Sequence, residues 1–219
     1  MAPQTTPCPQ NSERGAERTQ PLKKQKCFLF SLCALAPRES PTMPSYHSMY
    51  NGPGFTELCG LPVLPLKTKV RGPAPTVDPP SEEEDVVDEA LRLFRANLLF
   101  RNFELQGGGD RLLVYLTLFI HACLKRAAAR AGKAEGAREL AALAAGAHLA
   151  PGDAAWPLAQ VIPAPKSAAD LEALKGYLRQ LRECVAARLV DRIYGEDGAQ
   201  NRHWMQYAKR KGFMGKEFP

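Results

Sequence analysis

The chain runs to 219 residues, 45% of them hydrophobic and 24% charged, which suits one packed domain, or one domain and a tail, in an ordinary soluble protein. Its formal charge of +6 and pI of about 9.1 permit an acidic partner, whether nucleic acid, anionic membrane or acidic protein surface, without choosing among them. The longest apolar run, Leu112 to Ile120 and past His121 to Leu124, falls well short of the roughly 20 residues of a spanning helix, so no membrane span is expected.

Residues 1–42 differ in kind from the rest. They are rich in Pro, Thr, Ser, Gln and charge, with one short apolar patch from Cys27 to Ala36. Lys23, Lys24 and Lys26 precede that patch and Ala34-Leu35-Ala36 ends it, which are the parts of a secretory signal. The long polar stretch before the patch argues against one, and Glu13, Glu17 and Glu39 argue against a transit peptide. Residues 1–42 are therefore expected to be a disordered extension or a mis-assigned start, with Met43 as the true start. The cysteines Cys8, Cys27, Cys33, Cys59, Cys123 and Cys184 are scattered, with no CxxC pair and no zinc spacing. Cys123 and Cys184 stand at apolar helix positions and read as buried thiols in a reducing compartment.

From residue 43 to 80 the chain is punctuated by Pro44, Gly52-Pro53-Gly54, Gly60, Pro62, Pro65, Gly72-Pro73-Ala74-Pro75 and Pro79-Pro80. That spacing forbids a long helix and breaks a central strand. Val63, Leu64, Leu66 and Val70 allow a short extended piece in an otherwise irregular arm laid over the domain surface. A first helix is predicted near Ser81, with Glu84 completing a capping box and Val87, Leu91, Phe94 and Leu98 forming one stripe. Gly107-Gly108-Gly109 ends that unit. Asp110 is the expected N-cap of a second helix, which is polar between Leu112 and Leu124 only at Thr117 and His121. A helix apolar nearly all round is buried on most sides, so this one is placed at the centre, ending by Gly132.

A third, Ala-rich helix is predicted over 134–145, carrying Leu140 and Leu143 and stopped by Gly146. Pro151-Gly152, Pro157, Pro163 and Pro165 mark a long connection over 148–166. The fourth helix is the clearest. Ser167 caps it with Asp170, and Leu171, Leu174, Leu178, Leu181, Val185, Leu189 and Ile193 form a continuous stripe to Tyr194. It should span about 40 Å and pack on the second helix. A short fifth helix is predicted over 201–211 with Trp204, Tyr207 and Ala208 as its apolar face.

Chemistry is hard to find. The chain has no GxxxxGK[ST], no GxGxxG after a strand, no HExxH and no GxSxG. Gly107-Gly108-Gly109 lacks the Lys-Ser/Thr of a phosphate loop and reads as a turn between helices. His47, His121, His148 and His203 lie far apart, and the run Glu82 to Asp85 suits a solvated helix start. No catalytic residue, cofactor or metal ligand is assigned. Lys209-Arg210-Lys211 beside Trp204, Tyr207 and Phe213 fits a protein contact with an aromatic anchor beside charge. A cationic helix end matching its dipole is an equal alternative, and nucleic acid a weaker one.

Residues in order carry a family resemblance: Met43-Pro44-Ser45-Tyr46-His47-Ser48, Gly72-Pro73-Ala74-Pro75, Val87-Asp88-Glu89-Ala90, Phe94, Ala96-Asn97, Phe100, Asn102-Phe103-Glu104 and Asp110-Arg111. Leu113, Tyr115, Thr117-Leu118, Ile120, Cys123-Leu124-Lys125, Pro157-Leu158, the run from Tyr177 to Arg182, Trp204, Lys209-Arg210 and Phe213-Met214 continue it. From Met43 to its end the chain resembles subunit 3, the 21-kDa subunit, of the actin-related protein 2/3 complex. Residues 126–150 match poorly, His203-Trp204 stands where that family tends to have paired tryptophans, and residues 1–42 have no counterpart.

The resemblance implies an all-α single helical domain over 43–219, with one apolar helix surrounded by the others. It implies a non-catalytic structural subunit without cofactors, in an assembly that nucleates a branch on an existing actin filament. The implied partners are the two actin-related proteins, the other subunits and the actin filament. The implied place is the cytoplasmic actin cytoskeleton, at the cell cortex, the leading edge or endocytic actin. Trp204, Lys209, Arg210, Phe213 and Met214 are the candidate protein-contact residues. The alternative is a basic helical nucleic-acid-binding protein.

Overall fold

The computed structural model describes residues 45–77 and 83–218, all within the unit spanning Met43–Pro219. The expectations for residues 1–42, and the capping role given to Ser81, lie outside the described residues. The body is mostly helical: α1 Val86–Asn97, α2 Gly108–Ala127, α3 Lys133–Ala145, α4 Ala168–Ile193 and a short α5 Arg202–Met205.

It is not strictly all-α. The Pro/Gly-rich arm forms two small ribbons, β1 Glu57–Leu58 antiparallel to β2 Leu61–Pro62, and β3 Leu66–Lys67 parallel to β4 Thr76–Val77. Cys59 and Gly60, both at positive φ (53° and 73°), make the β1–β2 turn, as a two-residue hairpin requires. Nor is the arm a surface layer. Leu61, Leu64, Leu66 and Ala74 are buried in the core. The Tyr177 hydroxyl donates to the Pro62 carbonyl at 2.9 Å and takes the Leu64 N–H at 3.3 Å. Gln180 accepts the Ala74 N–H at 3.0 Å and donates to the Val70 carbonyl at 2.9 Å. Buried backbone polar groups need partners, and α4 supplies them.

Asp85 caps α1, accepting the N–H groups of Val87 and Asp88, so the helix starts later than its acidic run suggested. Arg188 of α4 clamps the same carboxylate with both terminal nitrogens at 2.6 Å, and the Lys67 N–H adds a third contact at 2.9 Å. Burial works to raise the Asp85 pKa, but the Arg188 and backbone hydrogen bonds outweigh it and hold the carboxyl below its usual range.

The expected cap of α2 is corrected too. Gly107 holds the cap position and Asp110 lies inside the first turn. Its fully buried carboxylate is occupied elsewhere, by the Ser48 N–H at 2.8 Å, the Gln106 N–H at 2.9 Å and the His47 ring at 2.7 Å. A Cβ on Gly109 would sit 2.8 Å from the Tyr50 carbonyl carbon, so only glycine lets this strap of residues 45–51 lie against the helix. Glu89 holds the strap's other side, accepting from the Ser48 hydroxyl and the Met49 N–H, both at 2.7 Å.

The second helix ends at Ala127, before Gly132, and turns carry the chain through Arg130. Its residues from Leu112 to His121 are all buried, as are Cys123 and Leu124. Helices α1, α3 and α4, the β2 strand and the strap all pack on it. The fourth helix starts on the predicted Ser167 cap and buries Leu174, Leu178, Leu181, Val185, Leu189 and Ile193. It packs on α2, as predicted, and also along α3. Gly136 makes the α3 side possible, since a Cβ there would overlap the Tyr194 ring. Cys123 and Cys184 are buried free thiols, and burial pushes both pKa values up.

Candidate protein-contact surface

The predicted fifth helix shortens to α5, capped by Asn201, and turns continue to Arg210. Past Gln206 the backbone bonds tighten to three-residue turns, Tyr207 to Trp204, Ala208 to Met205 and Arg210 to Tyr207. Trp204, 7% exposed, stacks on Phe94 with centroids 5.7 Å apart and planes 11° from parallel. Tyr207 meets the same ring edge-on. Phe213, 1% exposed, sits edge-on to Phe103 at 5.5 Å. Trp204 and Phe213 are thus core residues of the isolated chain, and they fasten the tail to the first helix and the loop after it.

Lys209 and Arg210 are exposed and Met214 is half-buried. The structure gathers Arg210 and Met214, with Lys211, at a cleft of about 530 Å³ whose other wall is Leu98, Leu99, Phe100 and Arg101. Lys209 lies beside it in sequence. The sequence reading missed that second wall. Leu99 was its signal: it follows the α1 stripe, falls off it, and is 52% exposed. Among the described residues no carboxylate pairs with Arg101, Lys209, Arg210 or Lys211.

Two features fix the basic turn. The His121 ring donates from Nε2 to the Arg210 carbonyl at 3.1 Å. Burial, then the nearby Lys125 charge, push the His121 pKa down, which keeps the ring neutral at physiological pH. Met214 itself sits at φ 54°, ψ 24°, a left-handed conformation uncommon outside glycine. Among the described residues no three His, Cys, Asp or Glu side chains gather as a metal site, and no helix is long and apolar enough to cross a membrane.

The helical body thus presents a cationic cleft with exposed leucine and half-buried methionine, a combination of charge and apolar surface found at protein-binding faces. Comparison with known proteins makes this particular. The model of the P21-Arc family, the ARP2/3 complex ARPC3 (21 kDa) subunit, matches residues 43–218. An actin-related protein 2/3 complex subunit 3 of Dictyostelium discoideum is 42% identical over 169 residues, covering 76% of this chain and 95% of that protein. The subunit 3 of Schizosaccharomyces pombe is 40% identical, over 80% of this chain and 99% of its own length. That of Arabidopsis thaliana is 37% identical, over 76% and 95%. The chain belongs to the ARPC3 family of ARP2/3 complex subunits. The nucleic-acid alternative finds no support in these relatives.

Proposed function

We propose that the chain is a non-catalytic structural subunit of the actin-related protein 2/3 complex. It contributes to nucleation of branched actin filaments by packing on an actin-related protein and lying near the mother filament. Its working body is residues 43–219. Its place is the cytoplasmic actin cytoskeleton, at the cortex, the leading edge or endocytic actin. The observation that carries this reading is the near full-length similarity to proteins named as subunit 3 of that complex.

The candidate contact surface narrows to Lys209, Arg210 and Met214, with the Leu99 wall opposite; Trp204 and Phe213 support it from beneath. Unpaired cations beside exposed apolar side chains suit an acidic protein partner. Reversing Lys209 and Arg210 to glutamate should lower branch formation several-fold while the chain enters the complex as before. Unchanged branching at equal incorporation would sink this assignment.

A further inference from the structure

A second cleft, against the fourth helix, has a different chemistry. It holds about 510 Å³ between the end of α3, the loop after it, and the exposed start of α4. Lys175, Arg179 and Arg182 reach it from α4, at four- and three-residue spacing and therefore on one helix face. Lys175 is paired with Glu172 at 3.0 Å and Arg179 with Glu183 at 2.8 Å. Arg182 is different. It is only 7% exposed, and its hydrogen-bond partners among the described residues are neutral: its Nε donates to the Ala144 carbonyl at 3.1 Å and its Nη1 to the Tyr115 hydroxyl at 2.9 Å.

A buried guanidinium ordinarily has a counter-charge, because removing a cation from water costs several kcal/mol unless an anion compensates. Among the described residues none stands against Arg182, and its Nη2 has no acceptor there. Arg182 lines an open cleft, so a missing anion has a route to it from outside. We propose that this cleft receives the carboxylate of an aspartate or glutamate from a partner protein in the assembled complex, bonded to Arg182 and flanked by Lys175 and Arg179. Two features favour a protein side chain over a free phosphate. Leu149, at the wall of the cleft, is 38% exposed and offers apolar contact that a hydrated ion does not use. Glu172 shares the cleft and repels a doubly charged anion more than a single carboxylate.

The inference rests on reading the chain as a subunit. The test is carbodiimide coupling of the purified complex containing the full chain, which joins lysine amines to touching carboxylates, followed by peptide mass spectrometry. Lys175 should couple to an aspartate or glutamate of another subunit. With Leu149→Asp, a like charge at the wall, that product should fall about tenfold, while the melting temperature of the chain alone stays the same. Arg182→Met should also abolish it; if that variant does not fold, Leu149→Asp and the coupling map carry the test. An assembled chain whose Lys175 couples only to its own Glu172 overturns this proposal and leaves the subunit reading standing. So does a chain whose isolated form is stabilised saturably by inorganic phosphate but not by chloride at equal ionic strength, which would make the occupant a free ion. A chain that recovers no partner subunits overturns both.

Discussion

The two ends of the described body are fastened to the same helices by opposite chemistry. The arm, residues 45–77, is held through buried polar groups: Asp110 and Glu89 on the strap, Asp85 and Arg188 at β3, Tyr177 and Gln180 along the ribbons. The tail, residues 201–218, is held by rings: Trp204 on Phe94, Phe213 on Phe103, and Phe218 against Tyr115 and Phe119. The arm buries Leu61, Leu64 and Leu66, but its prolines and glycines also leave many backbone groups to satisfy, so polar partners from the helices help decide where it lies. The tail carries aromatic residues and buries their rings instead. The tail also carries Lys209, Arg210 and Lys211 in succession with no carboxylate paired to them among the described residues.

Breaking the tail should have the largest effect on stability. Trp204→Ala removes a nearly buried ring from its stack and should cost about 3–5 kcal/mol, read as a lower urea midpoint. Breaking the arm comes next. Arg188→Met strands the buried Asp85 carboxylate and should cost about 3 kcal/mol. A loss under about 1 kcal/mol would show that the clamp is solvated and unimportant.

Acidity should separate the two regions. The His121 pKa is lowered in the fold from 6.5 by burial first and then by Lys125. Its contribution is therefore present above the unfolded value and is lost as pH falls below about 6.5, when the unfolded state takes the proton first. Asp85 and Asp110 are held below 3.8 because hydrogen bonds outweigh their burial, so their contribution persists above that value and fades only as pH falls beneath it. Glu89 runs the other way. Burial raises it above 4.5, so its contribution is full below that value and declines as pH rises through the folded pKa. Between pH 7 and 5.5, amides around Arg210 should exchange faster, after correction for intrinsic rates, while those of Ser48 and Lys67 stay protected. In His121→Gln the tail should no longer respond over that interval; a persistent response would place the sensitivity elsewhere. The smallest effect belongs to Lys209→Glu with Arg210→Glu, whose unfolding free energy should move by no more than about 0.5 kcal/mol.

What could be read from the sequence divides along the same line. The Ser167 cap and the stripe from Leu171 to Ile193 are local patterns, and α4 follows them except at Leu171, which is only half-buried. Asp110 has the look of a cap, but its carboxylate bonds to Ser48, 62 residues earlier, a partner that no short window contains. The arm's core leucines escape a local reading for the same reason, because the helices that cover them, α2 over the β2 strand among them, come much later in the chain. At the candidate surface, Lys209 and Arg210 are exposed. Trp204 and Phe213 turn inward, since a ring beside charges has the same sequence pattern whether it faces a partner or its own core.

The central claim, that this protein acts by assembly, is met most directly by tagging the full chain, recovering it from cells and weighing what accompanies it. The account predicts two actin-related proteins and the remaining small subunits in equal amounts with the chain. Recovery of nucleic acid, or of no stoichiometric partner, would contradict it.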